Sequence, residues 1–300
     1  MSHDNHASTA WKNMDLTETM TRKRYLDMTD GWSMPDGLPP LTEHDGFKVV
    51  SEHLTPLGSK GRFGDFLVSR VKADTLVYVA PRVGMAGISL AHLAKRYGKR
   101  LVLFCPAARM ASNHQLRAME LGAELRFIKI AAMPVLQGIA KRWAEDHGAE
   151  FLPLGLKHPL VTAAIVRTCD ELRRRRASPS VLWCAISTGV LARGLAIGFP
   201  DASINVVAVA RNLKEGEAGT EWIWSSKYNF HQICKTIPPF SSIMTYDAKA
   251  WEMMQQESTP LLKFKTWFWN VAGEEPISRI SPADVPASRN WGDDRDVRKP

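Results

Sequence analysis

The chain has 300 residues, enough for one large domain or two ordinary ones with a sizeable core. Hydrophobic residues make up 45% of it and charged residues 23%, which excludes wholesale disorder, a collagen-like fibre and a small disulfide-rich scaffold. The 39 lysines and arginines outnumber the 31 aspartates and glutamates, giving a formal net charge of +8. This excess favours a polyanionic partner or substrate.

Cysteine usage and hydropathy predict the compartment. The four cysteines lack C-x-x-C and metal-ligand spacing, so we expect reduced thiols, an intracellular protein and no metal site. No apolar run approaches the roughly 20 residues of a spanning helix, and the polar N-terminus is unlike a signal peptide. We therefore predict a cytoplasmic protein with no membrane partner.

Apolar strands and amphipathic helices alternate along most of the chain. Residues 1–45 are rich in Met, Asp and Pro and predict an N-terminal arm. Beyond the arm the pattern predicts strands at 74–81, 100–106, 123–130, 150–155, 181–187 and 204–210, and helices at 87–98, 112–122, 133–148, 159–176 and from 189. Strands separated by helices of about 10–15 residues predict an α/β fold with a doubly wound, mostly parallel sheet.

The segment Ser187-Thr188-Gly189 has the features of a phosphate-binding turn. It follows a buried strand and begins a helix, whose first free N–H groups and dipole bind phosphate. The two hydroxyls add donors, and the glycine allows the backbone to approach a ligand closely. The segment matches neither the Walker pattern nor G-x-G-x-x-G. An ordinary capped turn between strand and helix has the same residues, so the motif alone leaves both interpretations open.

Several segments, in order, resemble one known family. Residues 57–106 are similar to the opening of the pyridoxal-phosphate enzymes of the tryptophan-synthase β fold (fold type II), nearest the branch of aminocyclopropane-carboxylate deaminase and D-cysteine desulfhydrase. LPLGLKHPLVTAAIVRTCDEL (152–172), IMTYDAKAWEMM (243–254) and TWFWNVAGEEP (266–276) resemble later segments of that branch. The resemblance implies pyridoxal 5′-phosphate and two α/β subdomains with the active site between them.

The resemblance also implies a division of the chain. Residues 46–82 and 152–275 would form a large cofactor-binding domain, and residues 83–151 a small mobile domain. Residues 276–300 would be a polar tail. The family is commonly dimeric, so we expect a homodimer in which the arm at 1–45 takes part.

Lys60 is the predicted Schiff-base lysine, because Gly58-Ser59-Lys60-Gly61 stands where the branch carries G-G-N-K. Such a lysine must be made nucleophilic by burial or by its neighbours. A solvated lysine in a Gly-rich loop is the alternative. The cofactor contacts that the resemblance implies are Lys60, Gly84, Met85, Ser187, Thr188, Gly189, Val190, Leu191 and Asp247.

Tyr246 and Asp247 are the other predicted catalytic residues. The resemblance places the tyrosine where it can donate or accept a proton, and the aspartate where an acidic residue meets the cofactor's ring nitrogen. A protonated ring nitrogen makes the cofactor a strong electron sink, which suits decarboxylation or racemisation. The alternative for this pair is a turn followed by the start of a helix.

The chain departs from the branch at several positions. Gly84 and Met85 replace a catalytic serine and an asparagine, which argues against ring-opening deamination, and Val271 replaces the ring-nitrogen threonine. We name three candidate substrate-binding residues, each with an exposed surface residue as the alternative: Arg82, Lys157 and His158.

The leading functional hypothesis rests on a second resemblance. LVYVAPRVG, AISTGVLARGL and PPFSSIMTYDAKAW look like phage pyridoxal-phosphate enzymes of thymine hypermodification. This implies a lyase acting at Cα, specifically a decarboxylase of an amino acid attached to a hypermodified thymine in phage DNA. Lys and Arg contacts to phosphates would supply affinity, and the basic run at 173–176 is a candidate contact or else a solvated helix end.

Two alternatives stay open at this stage. The first is a β-eliminating lyase or deaminase that acts on a free amino acid. The second is a cofactor-less relative that serves as a DNA-binding or structural subunit.

Overall fold

The fold consists of two sheets with helices between and around them. The structure, a computed structural model, describes residues 20–129, 132–175, 177–210, 219–220 and 222–285. Residues 1–19 of the predicted arm, position 176 of the basic run and residues 286–300 of the predicted tail lie outside the described residues.

The larger sheet has the strand order β1-β2-β10-β7-β8-β9. All neighbouring pairs are parallel except the edge pair β1–β2, which is antiparallel. The central strands are buried on both faces, as expected for a parallel sheet covered by helices. Its strands are β1 (Leu41–His44), β2 (Phe47–Ser51), β7 (Val181–Ile186), β8 (Ser203–Ala208), β9 (Ile223–Ser225) and β10 (Thr266–Asn270).

The smaller sheet is entirely parallel and has the order β5-β4-β3-β6. Its strands are β3 (Thr75–Val79), β4 (Arg100–Pro106), β5 (Glu124–Ile128) and β6 (Glu150–Leu152). The predicted boundary at residue 83 left β3 in the large domain, and the structure corrects this. Leu76 of β3 pairs with Leu101 of β4 on one side and Glu150 of β6 on the other, so β3 is a central strand of the smaller sheet.

Eight helices in the described part of the chain cover the two sheets. They are α1 (Arg22–Met28), α2 (Gly58–Arg70), α3 (Ala86–Arg96), α4 (Asn113–Glu120), α5 (Met133–Asp146), α6 (Pro159–Arg174), α7 (Val190–Gly198) and α8 (Asp247–Glu257). Local signals explain several helix starts: a capping box between Ser112 and Gln115 begins α4, and prolines occupy the first turns of α5 and α6. No helix in the described residues is long and apolar enough to span a bilayer.

Close packing of α7 on α6 fixes where α7 begins. A Cβ added at Gly194 would lie 2.5 Å from Ile165 of α6, and one at Gly198 would lie 2.4 Å from Cys169. Only glycine fits at either position, so the two helices approach closely. This contact holds the start of α7 at the carboxyl end of β7.

The described parts of the arm and the tail both pack on the body of the same chain. Trp32 donates its indole N–H to Asp65 of α2 at 3.0 Å, and Arg62 of α2 donates to the carbonyl of Pro35 at 3.0 Å. In the tail, the Asn113 side chain of α4 donates to the carbonyl of Pro276 at 3.0 Å. Residues 20–40 and 276–285 therefore belong to the folded body.

Candidate active site

A cavity of about 300 Å³ lies between the carboxyl ends of the two sheets. The loops after β3, β6, β7, β8 and β10 line it, together with the first turns of α2, α3 and α7 and the segment before α8. A crevice at the carboxyl ends of parallel strands is where ligands bind in open α/β sheets. The prediction of a site between two α/β subdomains agrees with this placement.

Lys60 projects into the cavity from the first turn of α2. Its Nζ donates to the carbonyl of Gly155 at 2.7 Å, and burial lowers the pKa of Lys60 to about 8. Among the described residues that line the cavity, it is the one charged side chain. The neutral, nucleophilic form of this amine is therefore far more populated near neutral pH than that of an ordinary lysine.

The backbone before Lys60 is fixed to the end of β10. Gly58 has φ +59°, and a Cβ there would lie 2.9 Å from the carbonyl oxygen of Val271. The Ser59 N–H donates to that same oxygen at 2.8 Å, and the Trp269 indole donates to the Ser59 hydroxyl at 3.0 Å. The start of α2 is thus held rigidly, which preorganises the lysine that follows it.

The segment Ser187-Thr188-Gly189 forms the cavity wall where β7 turns into α7. Gly189 has φ +77° and leaves α7 without a side-chain cap, so the first N–H groups of that helix are available to a ligand. Val190 and Leu191 also line the cavity. The arrangement is a cradle for a phosphate group.

Tyr246 lines the cavity and faces the same segment. Burial raises the pKa of the Tyr246 phenol, while hydrogen bonding to Ser187 opposes that shift. The phenol therefore carries its proton at neutral pH and can hold or donate it at the cavity wall.

Asp247 lies behind the wall and is fully buried. Its Oδ2 accepts the backbone N–H of Val271 at 3.2 Å, whereas Oδ1 has no hydrogen-bond partner among the described residues. Burial raises the pKa of Asp247 well above its ordinary value, and the backbone N–H groups of Val271 and Ala272 oppose the shift. A buried carboxyl with a free oxygen favours a cationic or proton-donating partner.

The three predicted substrate-binding residues do not line the cavity. Arg82 donates to the carbonyl of Met110 at 2.8 Å, and Lys157 is exposed. His158 caps α6 by accepting the Leu160 N–H at 3.1 Å, and burial lowers the pKa of His158 to about 4. Loop directions, which the sequence pattern does not encode, decide these placements.

Gly84 and Met85 do line the cavity, on the loop that leads into α3. The lining residues that sequence reasoning missed include Tyr78 of β3 and Gly155 after β6. The apolar pattern at 74–81 predicted only that Tyr78 is a buried strand residue. Gly155 lies in the segment 152–172, which was considered for its resemblance to a segment of the family. The signal that could have found Tyr78 is a hydroxyl in the middle of an otherwise aliphatic strand.

The basic run at the end of α6 is engaged in ion pairs. Arg173 lies 3.5 Å from Asp201, and Arg174 lies 3.0 Å from Asp170. These contacts are consistent with the alternative interpretation of a solvated helix end. The prediction of phosphate contacts by this run stays a prediction.

Comparison with known proteins identifies the family. The family model described as "Pyridoxal-phosphate dependent enzyme" matches residues 37–253. The chain belongs to this family. Its cofactor is therefore pyridoxal 5′-phosphate, as the resemblance predicted. Comparison with curated protein sequences gives no significant match.

Solved structures share the fold of this pyridoxal-phosphate dependent enzyme. An aminocyclopropane-carboxylate deaminase homologue is 17% identical with a TM-score of 0.68, covering 92% of this chain and 98% of its own. Diaminopropionate ammonia lyase from Escherichia coli is 12% identical with a TM-score of 0.58, covering 95% and 94%. Cysteine synthase from Entamoeba histolytica is 16% identical with a TM-score of 0.60, covering 87% and 91%. At these identities the likeness shows the fold alone.

The cavity residues fit the cofactor. The uncapped start of α7 suits its phosphate, and the Lys60 amine, whose pKa burial lowers, suits its carbonyl carbon. The unpartnered Oδ1 of Asp247 is a buried acceptor that matches a protonated ring nitrogen in chemistry.

The reactivity of Lys60 is expected to titrate near pH 8. Only the neutral amine is a nucleophile, so the rate of its acetylation by acetic anhydride should rise with pH and level off above that midpoint. Peptide mass mapping after short pulses between pH 6 and pH 11 measures the profile, and exposed Lys157 is the internal reference. A Lys60 midpoint near the ordinary lysine value of about 10.4 would contradict the assignment.

Gly155→Ala is expected to lower the free energy of unfolding more than Gly98→Ala, although both glycines have a positive φ. Gly155 has φ +70°, and a Cβ there would lie 2.5 Å from the Thr188 hydroxyl; Gly98 has φ +61° with nothing within 4 Å. We expect losses in the free energy of unfolding of about 2–4 kcal/mol for Gly155→Ala and about 1 kcal/mol for Gly98→Ala. Urea denaturation measures both, and equal losses would show that the contact with Thr188 is unimportant.

Proposed function

We propose that this chain is a PLP-dependent lyase acting at the Cα of an amino-acid group, and that the group it removes is the α-carboxylate. The observation that carries the proposal is the buried Asp247, whose Oδ1 lacks a partner beside the end of β10. When bound, the cofactor supplies an electron sink for the pair released as a bond at Cα breaks. A carboxylate that keeps the ring nitrogen protonated makes this sink strongest.

The residues of the chain take separate parts in this proposal. The cradle at Ser187-Thr188-Gly189 binds the phosphate, and Lys60 binds the carbonyl carbon of the cofactor. Asp247 keeps a proton on the ring nitrogen. Lys60, whose pKa is about 8, can take up and return a proton at Cα, and the Tyr246 phenol can hold a proton at the cavity wall.

Elimination or deamination of a free amino acid is the second candidate. Solved structures with this fold include a threonine deaminase and diaminopropionate ammonia lyase, so the fold supports such chemistry equally. The cofactor-less alternative is not retained, since the family match and the Lys60 cavity both support a cofactor.

Product analysis separates the two reactions. The loaded enzyme would be incubated with a panel of amino acids labelled with ¹³C at the carboxyl carbon. The proposal predicts labelled carbon dioxide and the corresponding amine. Ammonia together with a labelled 2-oxo acid would contradict decarboxylation and establish the second candidate, and a Lys60→Ala protein controls for uncatalysed loss.

The substrate proposal retains an amino acid attached to a hypermodified thymine in DNA, presented to a homodimer. Only the net charge of +8 and the sequence resemblance support it, because Arg173 and Arg174 already pair with acidic residues. The test is retention on duplex DNA at 50 mM salt with release as salt rises. No retention at low salt would contradict a DNA substrate and favour free amino acids.

A further inference from the structure

Lys60 is connected to the smaller sheet through a single glycine. Gly155 lies three residues after Leu152 of β6, where the chain leaves that sheet and crosses towards α6. Its carbonyl accepts the Lys60 Nζ at 2.7 Å, and its N–H donates to the Tyr78 hydroxyl at 3.2 Å. The carbonyl and the N–H of Gly155 thus connect Lys60 of α2 to the Tyr78 phenol of β3.

Thr188 restricts the position of the Gly155 backbone. Its Cα packs against Thr188 so closely that no Cβ fits, and φ +70° is a conformation that favours glycine. Gly155 is buried, and the Tyr78 hydroxyl is the partner of its N–H among the described residues. Loss of that acceptor would remove the hydrogen bond that holds the orientation of this peptide.

Tyr78 is suited to be a fixed acceptor. It is 2% exposed, and β3 pairs on both sides, with Tyr78 opposite Leu103 and Leu152. Burial raises the pKa of Tyr78 to about 12, so the phenol stays neutral wherever Lys60 titrates. The two phenols of the described cavity wall, Tyr78 and Tyr246, and Lys60 are its titratable side chains.

We propose that Tyr78 is a positioning residue for Lys60: its hydroxyl holds the Gly155 N–H, and the Gly155 carbonyl in turn holds the amine that captures the cofactor. The inference rests on the proposed function only for the role of Lys60. It links the smaller sheet to the reactive amine, so that the orientation of the lysine depends on the placement of β3.

Tyr78→Phe tests the inference by removing one hydroxyl. A carbonyl acceptor stabilises the ammonium form, so a displaced Gly155 carbonyl should lower the pKa of Lys60. We expect the acetylation midpoint of Lys60 in the cofactor-free chain to fall by at least about 0.5 pH units, which is roughly threefold faster acetylation on the rising limb. Tyr97→Phe is the matched control, because it removes a phenol that donates to Asp65 at 2.8 Å, away from the cavity, and should leave the midpoint unchanged.

The outcomes separate this inference from the proposed function. Circular dichroism checks that each variant is folded, and Tyr78→Met is a second variant that should shift the midpoint in the same direction. A midpoint that stays near pH 8 in folded Tyr78 variants would overturn the positioning role and leave the proposed function intact. A wild-type midpoint near the ordinary lysine value would overturn both, because Lys60 would then not be the buried, readily deprotonated amine that both require.

Discussion

Replacing Lys60 by alanine is expected to abolish turnover, with kcat falling by at least about 10³-fold. The structure places this amine in the cavity, lowers its pKa to about 8 and provides no second charged side chain among the described residues of the wall. No other described residue of the wall carries an amine that could replace it. Steady-state kinetics on the substrate found by product analysis measures the loss.

The matched control for this substitution is Lys72→Ala. Lys72 is exposed and does not line the cavity, so its removal should leave kcat within about twofold of the wild-type value. Circular dichroism establishes that both variants fold. Full activity in folded Lys60→Ala protein would refute the assignment of the cofactor lysine.

Asp247→Asn is expected to lower kcat by about 10²-fold or more while leaving the cofactor bound. Asparagine keeps the shape of the side chain, and its oxygen can still accept the Val271 N–H, but it has no charge to keep a ring nitrogen protonated. The control is Asp201→Asn, because that side chain is 86% exposed. Unchanged kcat in Asp247→Asn would remove the support for a decarboxylase.

The same substitution should stabilise the cofactor-free chain at neutral pH. The pKa of Asp247 in the folded state is raised above its unfolded value of about 3.9, so between these two values the folded chain binds more protons than the unfolded chain. The free energy of unfolding therefore falls as pH rises through that window. Asparagine does not ionise, and we expect a Tm about 2 °C or more above wild type at pH 7.

The pH dependence identifies the cause of this stabilisation. The difference in Tm between Asp247→Asn and wild type should shrink as the pH is lowered towards about 3, below the unfolded pKa of about 3.9, where wild-type Asp247 is protonated in both states. A difference independent of pH would show that the gain comes from packing rather than from the buried charge.

The sequence predicted the fold because its strands and helices carry strong local signals. The apolar strand β7 and the helix α4 lie where the pattern placed them. The assignment of β3 was wrong at the level of domains, since a buried strand has the same composition in either sheet. Pairing partners are set by tertiary contacts, which composition does not encode.

The candidate site was predictable where it depends on the order of segments. Lys60, Tyr246 and the Ser187-Thr188-Gly189 turn were predicted from motifs, and the structure brings all of them to one cavity. Arg82 was also predicted for the site but does not line the cavity, because its side chain turns to the Met110 carbonyl. The contact between Tyr78 and Gly155 joins residues 77 positions apart, and no local pattern indicates it.

The central claim is that Lys60 binds pyridoxal 5′-phosphate covalently, and chemical trapping tests it most directly. The purified protein would be loaded with the cofactor, its visible spectrum recorded, and borohydride added before peptide mass mapping. We predict a yellow protein that borohydride bleaches, with the mass of the reduced cofactor on the peptide that contains Lys60. Label on another lysine, or a protein that stays colourless with added cofactor, would contradict the account.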